Sequence, residues 1–260
     1  MTIRFSLERY NLLDPGQRGF SGFGNYAFLL TDPGLAKALV NTLLLVGGVL
    51  AITVGVGTLL AVLFDQPFFG RGPARVLVIA PFFVMPTVSA LIWKNMLLDP
   101  VNGVLAFLMR SVGLTPIDWF AKAPLAAIVI IVAWQWLPFA LLILLTSLQS
   151  LDPETKESAC LDGAGQFAVF CHIILPHLRR AVGVVVMLET IFLLTIFAEI
   201  FVTTSGGPGL ASTNLAFLIY RYALLEFDIG GASAGGLLAI VLANIAAVFL
   251  MRTISRNLET

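Results

Sequence analysis

Apolar residues run without a charge from Ala38 to Phe64 and stop at Asp65-Gln66-Pro67. Four more apolar stretches follow: Val76–Met96, which holds Lys94, Pro124–Leu148, Ala181–Val202, which holds Glu189 and Glu199, and Ala232–Met251. A hydrocarbon core of about 30 Å needs about 20 apolar residues in helical form. The pattern therefore predicts five spans. Backbone polar groups in lipid must be satisfied within each segment, which makes the expected fold an all-α membrane protein, a polytopic helical bundle. Small residues recur every fourth position at Gly47, Ala51 and Gly55, and again at Gly235, Ala239, Ala243 and Ala247. Such stripes let helices approach closely, either inside one subunit or against a partner.

The polar interruption at 150–180 has its own local order. Asp152 stands where a helix N-cap belongs, Pro153 follows at the first position, and Glu154 lies in the first turn, as the helix dipole favours. This helix is expected to stop near Gly163. A second amphipathic stretch carrying Phe167, Phe170, Ile173 and Ile174 is expected to run to Pro176.

Composition confirms the membrane class and narrows the rest. Of 260 residues, 58% are hydrophobic and 12% charged, against about 45–50% and about 25% in soluble domains. That leaves too little polar surface to cover a globule. The formal net charge is zero, so nothing favours nucleic acid, and two cysteines are too few for a disulfide scaffold. The charged first 35 residues hold no unbroken apolar core of a signal peptide. Residues 1–37 read instead as the outer end of a preceding span, absent here, plus its loop. Lys and Arg counts are nearly equal, seven inside and eight outside, but the segments that would lie outside are nearly twice as long. The positive-inside rule thus favours a cytoplasmic 150–180 loop and a cytoplasmic tail, 253–260.

Spacing gives the loop a more specific reading. Glu157 is followed by Gly163 at +6, Ile173 at +16, Leu175 at +18 and Pro176 at +19. This resembles the signature Glu-Ala-Ala-x3-Gly-x9-Ile-x-Leu-Pro of permease subunits of binding-protein-dependent ABC importers, with Ser158 in place of the first alanine. The resemblance extends to 20–26, Asn41-Thr42, Trp93 with Pro100 and Gly103, and Ser205–Pro208, which look like the carbohydrate-uptake branch, on the side of its maltose-type first permease. Asp65-Gln-Pro-Phe-Phe-Gly-Arg-Gly72, Ala80–Asn95, Val132–Phe139 and Phe227–Gly236 are similar to the sorbitol/mannitol permeases.

The resemblance implies a type I ABC importer transmembrane domain over 38–252, in a bacterial inner membrane, with six spans as the family norm. It also implies that the loop docks on a separate ATP-hydrolysing subunit. The coupling residues it designates are Glu157, Ser158, Ala159, Asp162, Gly163, Ala164, Phe170, Ile173, Leu175 and Pro176. Glu157 is expected to meet a basic group there, and Ala159 and Ala164 to permit close approach. The implied partners are an ATP-binding subunit dimer, a second homologous permease and a periplasmic substrate-binding protein. ATP and Mg²⁺ belong to the ATPase partner; no cofactor is expected on this chain, which has no Gly-x4-Gly-Lys-Ser/Thr phosphate loop.

Ionisable groups inside spans are costly and usually functional. Glu189 lies about 12 Å into the predicted fourth span at 1.5 Å per residue. There it would offer a carboxylate to polyol hydroxyls, or pair structurally with a neighbouring helix. Glu199, further along, is expected to support the Ser205–Pro208 loop. Gln135, flanked by Trp134 and Trp136 and followed by Pro138, offers an amide and two stacking faces for a sugar, although tryptophans at that height also form interfacial belts. Trp93 and Asn95 complete the candidate substrate pathway. Cys160, Cys171, His172 and His177 do not have zinc spacing, and no metal site is expected. Two rival classes stand beside the importer: a secondary carrier using Glu189 as a proton or ion site, and a membrane enzyme, for which no convincing cluster is visible.

Overall fold

In the computed structural model, which describes residues 1–256, the first apolar stretch is a helix from Pro33 to Asp65. Asp32 starts it. Its carboxylate accepts the Gly34 N–H at 2.8 Å, and Pro33 takes the first position, where a missing N–H costs nothing. The tail expected at 253–260 continues the last helix as far as Arg256, and 257–260 lie outside the described residues.

The predicted second span, Val76–Met96, is not one helix. The chain forms Arg71–Ile79, a 3-10 turn Ala80–Phe83, a helix Pro86–Ile92 and a π-turn Trp93–Leu97. Pro86 explains the break, because a proline pushes the residue before it out of the helical region. Val84 and Met85 are accordingly extended, with ψ of 132° and 137°. The third span runs from Pro124 to Gln149 and continues through Pro138.

The fourth span also departs from expectation. Instead of Ala181–Val202, the long helix covers Gln166–Leu193, unwinds, and resumes as Ala198–Thr203. The second stretch of the polar loop is thus the beginning of the span rather than a separate helix ending at Pro176. A π-turn at Phe170–Ile174 lies just ahead of that proline, where Leu175 N–H bonds the Phe170 carbonyl. The wider turn accommodates a ring that would otherwise clash with a carbonyl one turn back. Where the span unwinds, the Asn214 amide donates to the Ile196 carbonyl at 2.6 Å, replacing a lost helical bond. The last helix is Ile229–Arg256, with Asp228 accepting the Gly231 N–H at its start.

Among the described residues four helices are long and apolar enough to cross a membrane, and five if the broken pair counts as one. The chain divides into two compact units. The first comprises Met1–Gly47, Met85–Ile131 and Ile191–Ala247; the second comprises Gly48–Val84, Val132–Thr190 and the chain from Val248.

In the first unit, Glu8–Arg9 pairs antiparallel with Gly19–Phe20, and Glu8 binds Arg4 and Arg18 at 2.7 and 2.9 Å. Those guanidinium groups hold the Glu8 carboxyl below the usual carboxylate range. The loop after Thr203 is fixed by hydroxyls and an amide. Thr204 and Ser212 bond at 2.8 Å, Thr213 donates to the Gly206 carbonyl at 3.0 Å, and Asn41 donates to the Leu210 and Thr213 carbonyls. Glu199 is buried on the helix that precedes this loop, and Lys94 reaches the carbonyl of Val202 at 3.1 Å.

Of the two small-residue stripes, the Gly235 end packs inside the first unit. A Cβ there would lie 3.3 Å from Ile219, and Ala239 joins the same core. Gly47, Ala51 and Gly55 are exposed, and a Cβ at either glycine would meet nothing within 4 Å. In the second unit the close helix approach is made by Gly57 instead, where an added Cβ would lie 3.3 Å from the Ala140 methyl.

Candidate functional site

The loop helix forms where its local chemistry demands, from Pro153 to Leu161. The Asp152 carboxylate accepts the Glu154 N–H at 3.0 Å, and Pro153 fills the first position. At the other end Gly163 N–H bonds the Cys160 carbonyl at 3.1 Å, and Ala164 N–H bonds the Ala159 carbonyl at 2.9 Å. Gly163 sits at φ 86°, in the left-handed region. This pair of bonds is a Schellman stop, with Ala159 and Ala164 as its apolar closing contact. Part of the residue spacing thus has a backbone meaning: alanine, glycine and alanine occupy the three positions that terminate the helix. Gly163→Val is expected to cost about 1 kcal/mol and to lower the thermal unfolding midpoint of the detergent-solubilised protein, whereas Gly163→Asn is expected to cost less.

The helix has two different faces. Glu157, Ser158, Asp162 and Gly163 are exposed, as are Cys160 and Leu161, and a groove of about 440 Å³ lies beside Lys156, Glu157, Cys160 and Leu161. Ala159 and Ala164 are half-buried. They pack inward with Phe170 and Ile173 on the buried cluster of Leu148, Val169, Ile174 and Leu178. This packing seats the helix on its own subunit. Leu175 and Pro176 are exposed on the fourth span just past the π-turn.

The structure adds residues that spacing alone did not single out. Leu161, at the end of the loop helix, is 88% exposed, and Phe167, at the start of the fourth-span helix, is 80% exposed. His177 Nε2 lies 2.9 Å from the Ser147 carbonyl and 3.3 Å from Ser150 Oγ, tying the fourth span to the end of the third. Lys156 binds Asp65 at 2.7 Å across 91 positions of sequence. An apolar residue facing outward on a short polar helix was a readable signal for Leu161. Nothing local pointed to Lys156 or His177.

The candidate pathway residues take separate surroundings. Gln135 is buried, and its amide donates to the Val84 carbonyl at 2.8 Å, the group that the Pro86 break leaves without a helical partner. Its own carbonyl oxygen is buried without a hydrogen bond. Trp136 stands edge-on to Phe82 and Phe139, which stack on each other at 6.0 Å, so these rings also hold the broken segment. Trp134 is half-buried on the same helix. Glu189 is fully buried. Thr53 Oγ1 donates to its Oε2 at 2.7 Å, and its Oε1 has no hydrogen bond. Trp93 and Asn95 belong to the other unit, on the π-turn Trp93–Leu97, with Trp93 half-buried and Asn95 exposed.

Comparison with known proteins bears on this geometry. A family described as binding-protein-dependent transport system inner membrane component matches residues 53–260. The chain is 34% identical over 232 residues to a probable ABC transporter permease protein, y4oQ, of Sinorhizobium fredii, covering 88% of this chain and 75% of that one. It is 31% identical over 243 residues to the trehalose/maltose transport system permease protein MalF of Thermococcus litoralis, covering 93% and 81%. A bacterial alginate ABC transporter, solved in complex with an alginate pentasaccharide-bound periplasmic protein, shares the fold with a TM-score of 0.76 at 24% identity, over 88% of this chain and 81% of that one. The chain belongs to the family of binding-protein-dependent transport system inner membrane components.

Proposed function

We propose that this permease subunit translocates a sugar alcohol or related carbohydrate, delivered by a periplasmic binding protein and driven by a separate ATPase. The chain is a transport subunit and not itself an enzyme. One observation carries the coupling part of the reading. The residues that match the importer signature end a capped helix, Pro153–Leu161, at Gly163 and open the next one at Gln166, and the signature glutamate faces outward beside an open groove. A helix fixed at both ends can receive a rigid-body push. In this reading the loop and the tail face the cytoplasm, an ATP-binding subunit dimer holding ATP and Mg²⁺ grips the exposed face, and a second permease completes the pathway.

The substrate part rests on chemistry in the spans. One relative is named for trehalose and maltose, and the runs at 65–72, 80–95, 132–139 and 227–236 are similar to sorbitol/mannitol permeases. Glu189 Oε1 and Gln135 Oε1 are buried acceptors without donors. Such groups are costly to leave unsatisfied, and a polyol supplies hydroxyl donors. Trp134 and Trp136, on the helix that carries Gln135, would line the route. The buried carboxyl of Glu189 also suits a secondary carrier, so the test separates the two. The complex, reconstituted with its binding protein and ATPase, is expected to take up sorbitol or mannitol only while ATP is hydrolysed. Uptake that persists with a hydrolysis-dead ATPase subunit would favour the carrier.

A further inference from the structure

The proposed coupling helix is fastened to the first span by a contact that the signature does not include. Lys156 Nζ lies 2.7 Å from Asp65 Oδ2, with the two side chains 27% and 23% exposed. Asp65 is the last residue of the first span, where the helix dipole is negative and attracts cations. A second cation supports the same end: Arg75 Nη2 donates to the Phe64 carbonyl at 2.9 Å. Val62 of that span packs in the same apolar cluster as Ala159 and Ala164. The loop helix therefore meets the first span through an apolar seat and an ion pair side by side. Neighbouring residues on a helix do not share a face. Lys156 can thus bind inward while Glu157 stays exposed for a partner.

We infer that Lys156 and Asp65 are positioning residues, a latch that passes displacement of the coupling helix directly into the first span. A solvent-exposed ion pair holds two long side chains poorly. This one is shielded, sits on a fixed helix end and is flanked by packed methyl groups, so it resists the slip that would waste a push. The inference rests on the coupling reading above.

The test uses the full complex with its binding protein, and reads substrate transported per ATP hydrolysed. Asp65→Asn and Lys156→Met, the latter keeping the apolar stem, are each expected to lower that ratio on the order of fivefold. Exchanging the charges, Asp65→Lys with Lys156→Asp, is expected to restore most of it. A wild-type ratio in both single variants, or an exchange no better than the poorer single variant, overturns the latch. Cross-linking from Cys160 to the ATPase subunit, with Cys171 replaced by serine, separates this from the broader reading. A cross-link in every variant with an unchanged ratio sinks the latch alone. No cross-link even without the latch substitutions overturns both.

Discussion

Glu157→Lys is expected to abolish transport while the chain still inserts at its usual level. Glu157 sits in the middle of the Pro153–Leu161 helix and is exposed. Exposed substitutions away from caps and packed groups usually change stability by about 0.5 kcal/mol or less, so the fold should tolerate the change. At an interface the outcome differs. Reversing a charge that faces an opposite one removes an attraction and adds a like-charge contact costing several kcal/mol. The measurement is uptake by the reconstituted complex, together with co-purification of the ATPase subunit. Uptake at the unmodified rate would show that this helix is not the coupling element.

Glu189→Gln is expected to raise the half-saturating substrate concentration on the order of tenfold, about 1.4 kcal/mol, with the protein yield unchanged. An amide keeps an oxygen to accept from Thr53, whose hydroxyl now lies 2.7 Å from Oε2. It replaces the oxygen that has no donor with an NH2 group, which cannot accept from a substrate hydroxyl. Glu189→Lys is expected to behave differently: a cation at a buried span position costs about 2.5–3.5 kcal/mol on insertion and should lower yield. Unaltered saturation in the glutamine variant would reduce Glu189 to a helix-packing role with Thr53.

The helix in the 150–180 loop was readable because its determinants are local. A capping aspartate, a proline at the first position and a glycine at the stop act within a few residues, and the structure uses Asp152, Pro153 and Gly163 in those roles. The interrupted second and fourth stretches were read as continuous because apolar composition does not report helix continuity. Pro86 marked one break, but Gln135 and its neighbours, distant in sequence, complete it. For the fourth stretch, the π-turn before Pro176 and the Asn214 bond to Ile196 decided where helix begins and ends.

By itself the sequence determined the membrane class, the number of apolar segments and the capped helix between the third and fourth. Lipid selects for length and apolarity, and caps act through neighbours in the chain. Only the tertiary structure decided which way Ala159 and Ala164 point, that Lys156 meets Asp65, and that Glu189 and Gln135 are each left with one buried acceptor lacking a donor. Those outcomes depend on which helices pack together, and a side chain's partner across 91 or 136 positions is set by packing that no local pattern records.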